Sequence, residues 1–139
     1  MDGRAFLDSA RLLLATPTEA NRRSAVSRGY FAILNEARSA LERWGFPVVA
    51  TADIDDFVSS HFYMALNLDA LRVSDALVQL RDNRAVGDFS LTQPGIFDDE
   101  TEVRRLIRLA EIGIDVLDQL EADPARGAAA VAAIRAAFP

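Results

Sequence analysis

Apolar residues recur at spacings of three and four along most of the chain, which is the period of helices that bury one face. Five segments show this period, and no stretch alternates apolar and polar residues convincingly, as a half-buried strand would. The pattern predicts an all-α protein. Because the connections between the segments are short, we expect neighbouring helices to pack antiparallel as an up-and-down bundle of four or five helices.

The longest of these segments predicts the central helix of the fold. Thr16, Pro17 and Glu19 fit a capping box, with threonine as the N-cap, proline at the first helical position and glutamate at the third. The helix should therefore run from Pro17 to Trp44. Gly45 should end it, because glycine is the usual residue after a helix C-terminus.

The other segments predict four further helices of the bundle and a C-terminal accessory helix. The stretch "GDFSLTQPGIF" (87–97), with two glycines and a proline, is predicted to be a loop. The tail begins with an Asp-Pro helix signal and is either packed on the bundle or frayed. The first, third and fourth helices are predicted to span about residues 3–15, 53–66 and 69–85, and the fifth to begin at 98–100. The bundle as a whole is predicted to cover residues 1–121 and the accessory helix residues 122–139.

The composition narrows the possible functions. At 139 residues, half of them apolar, the chain fits a single globular domain. It contains no cysteine, which excludes disulfides and thiolate chemistry, and no apolar run long enough to cross a membrane. We expect a cytoplasmic protein that carries no cofactor. The net charge of −6 argues against binding of nucleic acid over a broad positively charged surface but is compatible with a local basic patch.

His61 is the only histidine in the sequence, so it decides which histidine chemistry is available. It lies on an apolar helical stripe, and Val58, three residues before it, rules out the Glu-x-x-His ligand motif of di-iron bundles. The sequence also has no glycine-rich nucleophile elbow or phosphate loop. We therefore predict no metal site and favour a structural histidine, while a catalytic or ligand role stays open.

Two polar clusters interrupt the apolar pattern, one beside Tyr30 in the long helix and one at the end of the fourth helix. Buried polar groups need partners, because an unsatisfied one costs roughly 1–3 kcal/mol. If the two helices are neighbours, Arg28 should pair with the carboxylates of the fourth helix. The resulting network, at the mouth of an intersubunit cleft, is either an internal brace or a site for a nucleotide, RNA or a protein partner. The candidate binding residues are Ser27, Arg28, Arg81, Asn83, Arg84 and Asp88, with Asp82 as a further carboxylate.

The same two clusters carry a resemblance to a known family. "RRSAVSRGYFAILNEARSALERWG" (22–45) resembles the SRxYYAxFxxAxxxL…G helix of HEPN domains (higher eukaryotes and prokaryotes nucleotide-binding). "LVQLRDNRAVGDF" (77–89) resembles their later LxxLRxxRxxADY segment, with Gly87 in place of alanine and Phe89 in place of tyrosine. The resemblance spans residues 3–121.

The resemblance implies a helical bundle that usually forms a homodimer, with the polar motifs facing the dimer cleft. The family includes endoribonucleases, often toxins of bacterial toxin–antitoxin systems with a small nucleotidyltransferase partner, whose signature is Arg, four to six residues, then His. No histidine follows Arg81 or Arg84, and RNA cleavage usually needs one to move the 2′-OH proton. The resemblance therefore implies a non-catalytic module that binds a nucleotide, RNA or a nucleotidyltransferase-type partner. A metal-independent endoribonuclease built on Arg81, Asn83, Arg84 and Asp88 is the alternative.

Apolar residues outside the core predict the homodimer separately. Tyr63 and Met64 on the third helix, with Phe89 and Phe97 of the predicted loop, add apolar surface that one bundle of this size would have difficulty covering. We therefore expect the chain to form a homodimer.

Overall fold

Six helices and no strand make up the part of the chain that the structure describes, which confirms the all-α prediction. The computed structural model describes residues 2–48, 53–89, 97 and 99–139, with the backbone alone for 86–89. The helices are α1 (Gly3–Leu13), α2 (Glu19–Arg43), α3 (Ile54–Tyr63), α4 (Leu68–Phe89), α5 (Glu100–Ala122) and α6 (Pro124–Ala137).

Helix α2 lies at the centre of the fold and packs against α1, α3, α4 and α5. Its apolar face, which includes Ile33 and Leu41, is fully buried. The C-terminus of α2 agrees with the prediction, because Trp44 is the C-cap and Gly45 follows with a φ of +87°. Glycine adopts this left-handed conformation without strain.

The N-terminus of α2 differs from the prediction. The N-cap is Thr18 rather than Thr16, and its side chain accepts a hydrogen bond from the Asn21 amide at 3.1 Å. The Asn21 side chain in turn donates to the Thr16 carbonyl at 2.6 Å. Pro17 therefore lies before the helix. Of the two threonines that flank the proline, the second is the one placed to reach an amide of the first turn.

Helix α3 ends three residues earlier than predicted, at Tyr63 instead of Leu66. The side chain of Asn67 accepts a hydrogen bond from the Ala70 amide at 3.0 Å and so caps the first turn of α4. The chain must leave α3 before this cap, which places Leu66 in the connecting turn.

Helix α4 extends to Phe89, so the first part of the predicted loop, residues 87–89, is helical and that prediction is wrong there. A single glycine weakens a helix by about 1 kcal/mol, and Gly87 does not end this one. Residues 90–96 of the predicted loop lie outside the described residues. Phe97 was predicted to add apolar surface that one bundle would have difficulty covering, and that prediction is wrong. It is only 3% exposed and lies under the guanidinium of Arg23, with 4.6 Å between Cζ and the ring centroid.

Helices α5 and α6 follow the predicted pattern. Asp99 caps α5, whose apolar stripe from Val103 to Leu120 is buried, and Asp123 caps α6. A Cβ on Gly127 would lie 2.3 Å from the Leu120 carbonyl oxygen. The close contact shows that α6 is packed on α5 rather than frayed.

The core lies where α2, α4 and α5 meet, around side chains such as Leu80 and Leu106 that are fully buried. None of the helices among the described residues is long and apolar enough to cross a membrane.

Candidate functional site

A buried tyrosine lies beside two of the arginines that the sequence singled out. Tyr30 of α2 is 1% exposed, and its hydroxyl donates a hydrogen bond to Asp55 Oδ2 of α3 at 2.8 Å. Burial, and then this bond, raise the pKa of Tyr30 above its ordinary value of 10.0. The hydroxyl therefore stays protonated at neutral pH and joins α2 to α3.

Arg81 of α4 faces the same stretch of α3. Its Nη1 donates to Asp56 Oδ1 at 3.1 Å, and its Nε lies 3.8 Å from Asp82 Oδ1. The Asp56 side chain is 77% exposed and that of Arg81 is 35% exposed, so water competes with this ion pair and the pair contributes little stability. Another anion can therefore displace Asp56 at small cost.

Arg84, three residues further along α4, lies over two aromatic rings of α2. Its Cζ is 4.7 Å from the ring centroid of Phe31 and 5.8 Å from that of Tyr30. A guanidinium within about 6 Å of a ring face is attracted by the charge distribution of the ring. The positive charges of Arg81 and Arg84 both act on Tyr30, where they oppose the larger effect of burial on its pKa.

The structure separates the residues that were predicted to form one network. The second and fourth helices are neighbours, as that prediction required. Arg28 nevertheless lies against α1, with its Nη1 3.5 Å from Ser9 Oγ, while Asp82 approaches Arg81. Each residue of a helix is rotated by about 100° from the one before it, so Arg28 and Tyr30, two positions apart, point from nearly opposite faces of α2. Arg28 therefore faces α1, whereas Tyr30 faces α3. The predicted pairing of Arg28 with Asp82 is therefore wrong.

The other predicted site residues lie at the margins of this arrangement. The Asn83 side chain donates to the Gln79 carbonyl at 2.7 Å, one turn back on its own helix. Ser27 is half-buried on α2, and the side chain of Asp88 lies outside the described residues. Among the predicted residues whose side chains are described, Arg84 lies over Tyr30 and Arg81 pairs with Asp56, beside the Tyr30 partner Asp55.

A surface cleft opens beside Arg81, between α3 and α4. Its α3 residues are spaced by three and four positions and so share one face of that helix. The cleft has a volume of about 330 Å³, which is near the lower limit for small-molecule sites. Its lining residues are Asp56, Ser59, Ser60, Tyr63, Val78 and Arg81.

His61 is enclosed by aromatic rings on the other side of α3. It stacks between Phe57 and Phe138, with ring centroids 4.1 and 3.9 Å away and interplanar angles of 27° and 12°. Burial lowers the pKa of His61, and the neutral ring can donate from Nδ1 to the Phe57 carbonyl oxygen at 2.7 Å. This packing accounts for the histidine as a structural residue, the interpretation that the sequence favoured.

Sequence reasoning missed the two carboxylates of the site. Asp55 and Asp56 follow the start of α3, where acidic residues are expected because they favour a helix N-terminus. Their partners Tyr30 and Arg81 are each 25 residues away along the chain. The one available signal was the buried hydroxyl of Tyr30, which requires an acceptor.

Comparisons with known proteins identify no relative. No protein-family model matches the sequence, and neither the curated proteins nor the solved structures give a significant match. Among the described residues, no group of three histidine or acidic side chains is arranged to hold a metal ion.

Proposed function

We propose that this chain is a non-catalytic HEPN-like domain, an up-and-down helical bundle that works as a binding module for a phosphate-bearing ligand, either a nucleotide or RNA. Arg81 and Arg84 supply the positive charge, and Asp56 pairs with Arg81 when no ligand is bound. The observation that carries the proposal is the position of two guanidiniums beside α2 and α3 in a protein whose net charge is −6. Arg84 lies over the ring of Tyr30, and Arg81 pairs with Asp56, the residue after the carboxylate that binds Tyr30.

The surroundings of both arginines support ligand binding. Because Asp56 is mostly exposed, an incoming phosphate exchanges a weak surface ion pair for a charge-assisted, bidentate contact with Arg81. Arg84 rests on Phe31, and this contact orients its guanidinium before any ligand arrives. Preorganisation of this kind reduces the entropy that is lost on binding.

The groups around the arginines favour binding over catalysis. Cleavage of RNA requires a side chain that takes up the proton of the 2′-OH. His61 is stacked between two phenylalanines, and the hydroxyl of Tyr30 has a raised pKa and donates to Asp55. Neither group is poised to act as a base at neutral pH.

A second copy of the chain completes the proposal. The corner between α3 and α4 exposes Met64, Leu66 and Leu68, which are 54%, 96% and 77% exposed, next to Tyr63 of the cleft. Exposed apolar groups of this kind are typical of protein interfaces. A copy seated on this corner would put the arginine site at the edge of a cleft between two subunits, as the resemblance implies.

Equilibrium binding of labelled ligands tests the proposal. A fluorescent adenine nucleotide and a short single-stranded RNA are each titrated with the wild type and with the Arg81→Ala/Arg84→Ala double variant, and anisotropy is followed. We expect at least one probe to bind and the double variant to bind it at least about tenfold more weakly, because charged hydrogen bonds are lost. The affinity should also fall as salt rises.

Arg108→Ala is the matched control, because Arg108 lies on α5 in an exposed ion pair with Glu111. If neither probe binds, or if this control weakens binding as much as the double variant does, the two arginines are not a ligand site. If the wild type cleaves the RNA and Arg84→Ala abolishes this cleavage, the non-catalytic assignment is overturned in favour of the endoribonuclease alternative.

A further inference from the structure

We infer that the ligand is a mononucleotide-sized molecule with a terminal phosphate and a planar ring. It lies in the α3–α4 cleft with its phosphate on Arg81 and its ring on Tyr63. This inference rests on the proposed function and narrows it to one class of ligand. It uses cleft side chains to which that function assigns no role, namely Ser59, Ser60 and Tyr63.

Tyr63 is an exposed aromatic residue in the same cleft as a guanidinium. It is the last residue of α3 and is 63% exposed. Asp56, the partner of Arg81, lies seven positions earlier on the same face of α3. At the rise of an α-helix this separation is roughly 10 Å, a length that one nucleotide spans from phosphate to base. Aromatic faces exposed in this way are the platforms on which bases stack.

Two hydroxyl groups lie between the cationic and the aromatic ends of the cleft. Ser59 is buried at its floor and Ser60 is half-buried, and both lie between Asp56 and Tyr63 on α3. Serine hydroxyls donate and accept hydrogen bonds and carry no charge. The order along the cleft is therefore guanidinium, hydroxyls and aromatic ring, which matches the order phosphate, sugar and base in a nucleotide.

The size of the cleft favours a single nucleotide over RNA. Its volume of about 330 Å³ is enough for one small ligand. Sites for single-stranded nucleic acid combine a long basic groove with several aromatic platforms, whereas Tyr63 is the one aromatic residue among the described residues that line this cleft.

Calorimetric titration of the full chain with AMP and with ribose 5-phosphate, which lacks the base, tests the inference. We expect AMP to bind about tenfold more tightly, because only AMP stacks on Tyr63. Tyr63→Ala should remove this advantage and leave the affinity for ribose 5-phosphate unchanged, and Tyr63→Phe should keep the advantage. Arg81→Ala should weaken the binding of both ligands.

Equal affinities for the two ligands, or an AMP advantage that survives Tyr63→Ala, would overturn the inference. If a short RNA binds through Arg81 and Arg84 while AMP does not bind, the inference fails and the proposed function stands. If no phosphate-bearing probe binds at all, the proposed function fails as well.

Discussion

Removing one hydroxyl, in Tyr30→Phe, tests the bond that joins α2 to α3. The substitution keeps the buried ring but deletes the donor to Asp55 Oδ2, which lies 2.8 Å away. Hydrogen bonds to charged groups contribute about 1.5–3 kcal/mol. Because Asp55 is half-buried, water replaces part of the lost bond, and we expect the lower end, about 1.5 kcal/mol. For a chain of this length, that loss lowers the melting temperature by about 5 °C.

Urea unfolding at pH 7 measures this loss, with Tyr63→Phe as the matched control. Tyr63 is mostly exposed, so its variant should change the free energy of unfolding by less than about 0.5 kcal/mol. Equal unfolding free energies for the two variants would refute the reasoning.

The pH dependence of the Tyr30→Phe effect gives a second readout. The pKa of Tyr30 is raised in the folded protein. The stability that the hydroxyl contributes is therefore fully present below its unfolded-state pKa of about 10 and is lost as the pH rises beyond that value. The gap between the wild type and Tyr30→Phe should narrow above about pH 10, and a constant gap would contradict the assignment.

Three further predictions concern the stacking of His61, the packing of α6 on α5 and the oligomeric state. Because burial lowers the pKa of His61 in the folded protein, unfolding free energy should fall as the pH drops below about 6.5. His61→Phe should reduce that fall in urea titrations at several pH values, and an unchanged fall would count against a buried neutral ring. Gly127→Ala puts a Cβ 2.3 Å from the Leu120 carbonyl oxygen, and this overpacking should lower the free energy of unfolding by about 1–3 kcal/mol in urea. A more stable variant would show that α6 packs on α5 differently. Light scattering should give twice the chain mass of 15.2 kDa, and Leu66→Asp should return it to one chain mass while the chain stays folded. A monomeric wild type at micromolar concentration would contradict the homodimer.

The sequence predicted the number and order of the helices well, because a helix that buries one face repeats its apolar residues with the helical period. The stripe of α5 from Val103 to Leu120 is buried as expected. The helix ends were predicted less well. Leu66 continues the spacing of α3 but is 96% exposed, since periodicity does not distinguish a core residue from an apolar residue on the surface.

The candidate site was predicted in part. Arg81 and Arg84 were predicted as candidate binding residues in the polar cluster at the end of the fourth helix, and they contact α3 and α2 respectively. Arg28 was placed wrongly, because the rotation of α2 about its own axis decides which neighbour it faces. The carboxylate partners Asp55 and Asp56 depend on how α3 packs, which a local sequence pattern does not encode.

The ligand site is tested most directly by observing the arginine side chains themselves. The Nε–Hε signals of an isotope-labelled chain are followed by NMR while AMP, and separately a short RNA, is added at constant salt. We expect the signals of Arg81 and Arg84 to shift until the site is saturated, while those of Arg38 and Arg108, in ion pairs elsewhere on the surface, stay in place. If all four signals stay in place with both ligands, or move together, there is no phosphate site beside Tyr30.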